Sequence, residues 1–148
     1  MTAPTGEHAV SETRLIAAPR QLLFDLVADP AMHPLIDGSG TVRALREGSP
    51  ERLGPDVRFG MAMRMGLPYR ISNRVVEFEE GRVVAWMHLS RAVWRWEFAD
   101  AGGGTQVTES FDWTRARSHR VMRRFAPGNA VSMRRSLERL EDLARARG

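Results

Sequence analysis

The hydrophobic patterning of this chain predicts an α+β fold: a curved antiparallel seven-stranded sheet wrapped around a long C-terminal helix, with two short helices after the first strand. Three observations carry this expectation. An alternating segment near the start is followed at once by two short helical segments. From Gly40 onward, six alternating segments succeed one another, separated by turn-forming residues. After Arg115 the apolar spacing becomes helical.

The first strand is expected over Val10–Ala17, in "AVSETRLIA". Pro19 suits the first turn of the helix that follows, where "RQLLFDLVAD" carries the apolar stripe Leu22, Leu23, Leu26 and Val27. Asp29-Pro30 ends that helix, and "AMHPLIDGSG" reads as a short helical turn entering a glycine loop. The remaining strands are expected over Thr41–Glu47, Asp56–Met65, Tyr69–Glu79, Arg82–Leu89, Ala92–Ala99 and Thr105–Thr114. Their connections contain "EGSPERLGP", "GLP", "EG", "SR" and "AGGG", all turn chemistry. In the last segment Pro127-Gly128 should break the helix and Asn129 should cap its continuation. Ala130, Met133, Leu137, Leu140 and Ala144 then recur at helical spacing. Residues 1–8 read as a flexible tail and 9–148 as a single domain.

Composition narrows the chemistry. A chain of 148 residues can bury roughly 70% of the surface its unfolded form exposes. It has no cysteine, which excludes disulfides, thiol nucleophiles and cysteine metal sites. All 22 basic residues are arginine, so no lysine is present to form a Schiff base. The start lacks the basic-then-apolar pattern of a secretory signal, and no run of about 18 apolar residues exists. A soluble cytoplasmic protein is therefore expected. The net charge of +4 is uneven: residues 115–147 hold ten arginines against Glu138, Glu141 and Asp142. Such a helix suits either a solvated face or contact with nucleic acid or a partner.

Turn lengths allow a prediction of which side chains face inward, because residues paired across a hairpin share a face. A loop at Ala101 to Gly104 pairs Phe98 with Val107, Trp96 with Glu109 and Trp94 with Phe111. A two-residue turn at Ser90-Arg91 pairs Trp94 with Met87, and one at Glu80-Gly81 pairs Ala85 with Val76. A four-residue loop from Gly66 to Tyr69 pairs Met61 with Arg74 and Met63 with Ser72. Together these predict an inner face that includes Phe59, Met61, Met63, Arg74, Met87, Trp94, Trp96, Glu109, Phe111 and Trp113. The outer face receives Asn73, His88, Arg95 and Glu97, with Trp86 stacked on Arg95 at the surface.

The segments "RLIAAPRQLLFDLVADPAMHPLIDGSG" and "GRVVAWMHLSRAVWRWEF…GGGTQVTESFDW" resemble the SRPBCC superfamily, the START-related helix-grip fold, and within it the polyketide cyclase/dehydrase-like branch. The resemblance extends over nearly the whole chain. It implies a helix-grip fold around a ligand cavity and names no shared catalytic motif. The aromatic residue common after His-Pro in that branch is replaced here by Leu35-Ile36-Asp37.

The expected function is binding of a small hydrophobic ligand, such as a lipid, polyketide or aromatic metabolite, between sheet and C-terminal helix. The expected ligand-binding residues are Phe59, Met61, Met63, Arg74, Met87, Trp94, Trp96, Glu109, Phe111, Trp113, Met133 and Leu137. Glu109 and Arg74 are also the catalytic candidates if the chain is a cyclase or aromatase. A buried carboxyl costs several kcal/mol unless paired or protonated, which suits either a general acid, a hydrogen-bond anchor or a structural ion pair. A guanidinium could hold a carboxylate or enolate, or pair with Glu109. The four histidines lack metal-ligand spacing, and "AGGGT" precedes a strand rather than a helix. No cofactor, metal or nucleic-acid partner is expected; self-association into a homodimer stays open, as does whether a reaction occurs. The remaining alternative is a regulatory or interaction protein that uses the arginine-rich helix.

Overall fold

In a computed structural model of the protein, residues 6–147 are described. The seven strands are β1 (Ala9–Ile16), β2 (Val42–Leu45), β3 (Arg58–Met65), β4 (Leu67–Glu79), β5 (Val83–His88), β6 (Val93–Ala101) and β7 (Gly104–Asp112). They form one sheet in the order β1-β7-β6-β5-β4-β3-β2, with every neighbouring pair antiparallel. Helix α1 (Arg20–Ala28), a 3-10 turn (Pro30–Met32) and α2 (His33–Ile36) lie between β1 and β2, and α3 (His119–Arg147) closes the chain. This is the α+β helix-grip architecture that the pattern predicts. Most of the tail expected over residues 1–8 falls on residues 1–5, outside the described residues.

Two packed regions hold the sheet to its helices. Phe24 of α1 meets Phe78 and Phe98 edge-on, with ring centroids 5.7 and 5.5 Å apart. Leu137, Leu140 and Ala144 of α3 join this same core, with Ile16 and Val107. A smaller cluster gathers Ala92, Phe111, Trp113, Ala126 and Met133 at the other end. Helix α3 is thus anchored at both clusters, with most of its buried side chains, Ser136, Leu137, Leu140 and Ala144, in its C-terminal half.

Helix α3 runs unbroken through Pro127-Gly128, contrary to the expected break. Proline removes one helical N–H and frees the carbonyl four residues back, that of Arg123. Both Pro127 and Gly128 are exposed, so water can satisfy what the helix does not. The ring lies on the outer side of a helix whose other side is held by the sheet.

The hairpin registers differ from expectation in an ordered way. The β6–β7 ladder pairs Trp96 with Glu109, Trp94 with Phe111 and Phe98 with Val107, as predicted. Between β5 and β6, Trp94 pairs with Trp86 and Trp96 with Val84, one residue off the expected register. The reason is the turn: Leu89, Ser90 and Arg91 form a three-residue loop, with Arg91 in the left-handed region at φ 68°. That slip turns His88, Trp86 and Val84 inward and Met87 outward. Strand β4 follows, pairing Asn73 with His88 and Arg74 with Met87, after a bulge beside Val76. Between β3 and β4 the register differs by three residues, since Gly66 alone separates the paired Met65 and Leu67. This second odd shift cancels the first, so Phe59, Met61 and Met63 of β3 face inward after all.

Candidate functional site

Between the sheet and the N-terminal half of α3 lies a cavity of about 430 Å³. That volume is within the range of small-molecule sites, about 300–1,000 Å³. Two parts of α3 differ in what they bring to the interior. Leu137, Leu140 and Ala144 pack into the main core. Before them the helix lines the cavity with Met122, Phe125, Asn129, Ser132, Met133 and Ser136, three of which are short and polar. Ser136 is itself bound: its hydroxyl accepts from Gly38 N at 2.9 Å and donates to Ser132 O at 3.0 Å.

The wall is mostly aromatic and thioether. Phe59, Met61 and Met63 of β3, Trp94 and Trp96 of β6, Phe111 of β7 and Met133 of α3 all line it. Trp94 and Phe111 contact each other with ring centroids 4.5 Å apart. Four expected site residues do not line it. Arg74 points to the outer face, half exposed, with Asp56 3.5 Å away, because the β5–β6 slip reversed the lower part of β4. Met87 is reversed with it. Trp113 lies past the end of β7, buried in the smaller cluster against His8 and Phe111. Leu137 is spent in the main core.

The same slip supplies residues that the turn-length argument placed outside. Trp86 faces the cavity and stacks on His33 at 4.9 Å, rather than on Arg95 at the surface. His88, Asn73, Ile71 and Tyr69 also line the wall. Arg95 is instead held on the outer face between Glu77 and Glu97, at 2.9 and 2.8 Å. A positive-φ third residue in the β5–β6 loop was the missing signal, and arginine does not advertise it.

Glu109 is the buried acid of the cavity, only 5% exposed. Its Oε1 has no hydrogen-bond partner. Burial, and secondarily the negative charge of Asp37, hold its carboxyl well above the usual carboxylate range. The neutral, proton-bearing form is thus favoured, and it can donate a hydrogen bond. Asp37 at the end of α2 has its hydrogen-bond partners within the chain, accepting from Ser39 N, Ser39 Oγ and Val42 N.

The two histidines at the wall are neutral-leaning bases. Burial pushes both the His33 and the His88 imidazole down. His33 Nε2–H donates to Val27 O at 2.7 Å, which fixes the neutral tautomer and leaves Nδ1 as acceptor. His88 Nδ1 lies 2.6 Å from Ser90 Oγ. Asn73 is 3% exposed, and its Oδ1 has no partner. Among the described residues no cluster of three His, Asp or Glu side chains is placed to hold a metal ion. No helix among them is long and apolar enough to cross a membrane.

A sheet gripping a helix over such a cavity invites comparison with known proteins. The family model described as polyketide cyclase/dehydrase and lipid transport matches residues 7–145. The chain belongs to that family. With it comes membership of the SRPBCC superfamily, whose domains bind ligands. Among curated relatives, the uncharacterized protein Rv0088 of Mycobacterium tuberculosis is 38% identical over 145 residues, which cover 93% of this chain and 64% of that protein. The chain thus spans just under two thirds of the length of that relative. The crystal structure of Ms6760 from Mycobacterium smegmatis superposes with a TM-score of 0.76 at 16% identity, over 95% of this chain and 93% of that one. The di-domain ARO/CYC StfQ of the steffimycin biosynthetic pathway superposes at 0.73 and 11% identity, over 95% of this chain and 51% of that one. At such identities the structural likeness speaks for the fold.

Proposed function

We propose that this family member binds a small hydrophobic molecule, a lipid, polyketide or aromatic metabolite, in the cavity between the sheet and the N-terminal half of α3. One observation carries the reading: an aromatic-walled space of about 430 Å³ stays open beneath α3 and contains one neutral-leaning acid. A core under pressure only to be stable would fill that space, since unfilled volume costs stability. Apolar burial would supply the affinity, and the few polar groups would orient the guest.

The test is native mass spectrometry of freshly purified protein, with saturable quenching of tryptophan fluorescence by a lipid and polyphenol panel as the second measurement. A co-purified small molecule and at least one saturable ligand are expected. A bare protein that no panel member perturbs would remove the reading.

A second reading is supported by the state of Glu109. A proton-bearing carboxyl in a dry, aromatic site is suited to general-acid assistance of a cyclisation or dehydration. Arg74 has no part in it, because it faces away from the cavity. Under this reading Glu109→Gln abolishes turnover of a polyketone substrate and leaves its affinity within about threefold; unchanged turnover takes Glu109 out of the chemistry. The interaction reading of α3 gains nothing from the structure. Arg134 pairs with Glu12, Arg145 with Glu141, and Arg139 donates to Asp37 O. The first and last of these contacts hold the helix to its own domain, and the second lies within the helix.

A further inference from the structure

We propose that the cavity selects an elongated, uncharged ligand with a hydrogen-bond acceptor at the Glu109 end and a donor at the Asn73 end, and that it rejects carboxylates. This rests on the cavity-binding reading above and specifies the chemistry of its guest.

The first support is charge. No arginine is among the cavity-lining residues, and the chain has no lysine. The ionisable carboxyl groups at the wall, Glu109 and Asp37, are both acids. The nearest cations by strand register are already engaged elsewhere. Glu12, opposite Glu109 on β1, is bound by Arg134 at 2.9 Å, and Arg74 lies on the outer face beside Asp56. A ligand carboxylate would lose its water and meet no cation, only acids, neutral imidazoles, uncharged amides and hydroxyls, and aromatic and thioether faces. Such a charge is buried without a counter-ion.

The second support is a pair of orphaned polar atoms. Glu109 Oε1 and Asn73 Oδ1 are both buried without a partner, and both residues line the cavity. Buried polar groups are nearly always satisfied, so each unsatisfied one calls for a partner from outside the chain. A proton-bearing Glu109 donates, so its counterpart is a carbonyl or ether oxygen. The amide oxygen of Asn73 accepts, so its counterpart is a hydroxyl or amine hydrogen.

The third support is spacing. Glu109 lies on β7 and Asn73 on β4, three strand-to-strand steps apart in the sheet. Three steps of about 4.8 Å across the strands, with an offset of four residues of about 3.3 Å along them from the Trp96–Val84 rung to the Asn73–His88 rung, make roughly 19 Å along the surface, and less across its concave side. The row between them holds Trp86, Trp94 and Phe111, in direct register. The matching guest has a flat apolar middle with a polar group at each end.

A trans-stilbene skeleton provides matched probes, since it absorbs where tryptophan emits. Three compounds carry 4-hydroxy and 4′-acetyl groups, 4-hydroxy and 4′-carboxyl groups, or the 4′-acetyl group alone. Titration at pH 7, followed by tryptophan-to-stilbene energy transfer, should show the hydroxy-ketone binding at least tenfold tighter than the hydroxy-carboxylate. Loss of the hydroxyl should weaken binding about fivefold in the native protein and leave it unchanged in Asn73→Leu. Glu109→Leu should narrow the gap between ketone and carboxylate, while Glu109→Gln, which keeps a donor, should hold ketone affinity within about threefold. Circular dichroism of each variant checks that the fold is retained. Equal binding of ketone and carboxylate by the native protein overturns the selectivity and leaves cavity binding standing. Binding of none of the three overturns both.

Discussion

Trp96 and Glu109 stand directly opposite one another on β6 and β7, indole and carboxyl on the same side of the sheet and both at the cavity wall. A carboxyl in that position is denied water by its neighbours and given no cation in return. The pairing is thus the source of both the acid's raised proton affinity and its destabilising effect on the fold.

That effect has a definite sign with pH. Glu109 is neutral in both folded and unfolded chains below its unfolded value, about 4.5. As pH rises above that value the unfolded chain ionises freely while the folded one resists, so stability falls until the folded value is passed. Glu109→Gln removes this loss. The variant should gain on the order of 1 kcal/mol over the native protein at pH 8, roughly 3 °C in Tm for a chain of this size. The two should converge near pH 4. Thermal melts across that range check it, and a native protein that stays the more stable at pH 8 would show that Glu109 is paired.

The tryptophans separate by position. Trp94 and Trp96 line the cavity, and Trp113 is buried in the smaller cluster away from it. With a bound apolar ligand, Trp96→Phe should remove at least a third of the fluorescence change and Trp113→Phe almost none of it. Both substitutions keep an aromatic ring and should cost under about 2 kcal/mol. Equal losses in the two variants would place the ligand elsewhere.

How far the sequence reveals this site depends on turns. The β6–β7 pairing is readable because glycines occupy its connection, and Gly103 adopts the φ of 83° that such a turn requires. The β5–β6 connection offers no such marker. Arg91 takes up a positive φ at a cost that tertiary packing covers, and nothing in "LSRA" announces a third loop residue. One residue of slip exchanged Met87 and Arg74 for Trp86, His88 and Asn73 at the wall. Phe59, Met61 and Met63 were placed correctly only because the tight Met65-Gly66-Leu67 turn introduced a second odd shift. The alternation within the strands was therefore legible except at the bulge beside Val76 in β4, and the propagation of faces from strand to strand was not. The cavity itself was expected from the fold. Which side chains α3 contributes to it, Asn129, Ser132 and Ser136 beside Met122, Phe125 and Met133, becomes visible only once the helix is seated.

Pro127 offers a stability prediction independent of any ligand. It sits exposed within α3, where it removes a backbone hydrogen bond to the carbonyl of Arg123. Pro127→Ala restores the N–H and should stabilise the protein by about 2 kcal/mol, or roughly 5 °C in Tm. Ligand affinity should stay within twofold, since residue 127 does not line the cavity. A destabilised variant would mean that the proline's fixed φ matters more to the helix than its missing bond.

Two glycines in the loop after α2 make a sharper pair, because each is glycine for a different reason. A Cβ on Gly38 would collide with Ser132 O, Arg135 Cβ and Ser136 N of α3, so the loop can lie on the helix only without a side chain. Gly40 has open space around it but a φ of 76°. Gly38→Ala must push the loop off α3 and strain the bond from its N–H to Ser136 Oγ. A cost of about 2–3 kcal/mol is expected, as for overpacking a tight contact. Gly40→Ala should cost only about 1 kcal/mol, the ordinary penalty of a left-handed residue with a Cβ. The loop also carries Asp37, Ser39 and Thr41 to the cavity wall. Gly38→Ala should therefore weaken ligand binding at least fivefold at temperatures where the variant remains folded, and Gly40→Ala should not. Urea melts and binding titrations on the two variants measure both effects, and equal behaviour would mean that the loop's seat on α3 does not shape the cavity.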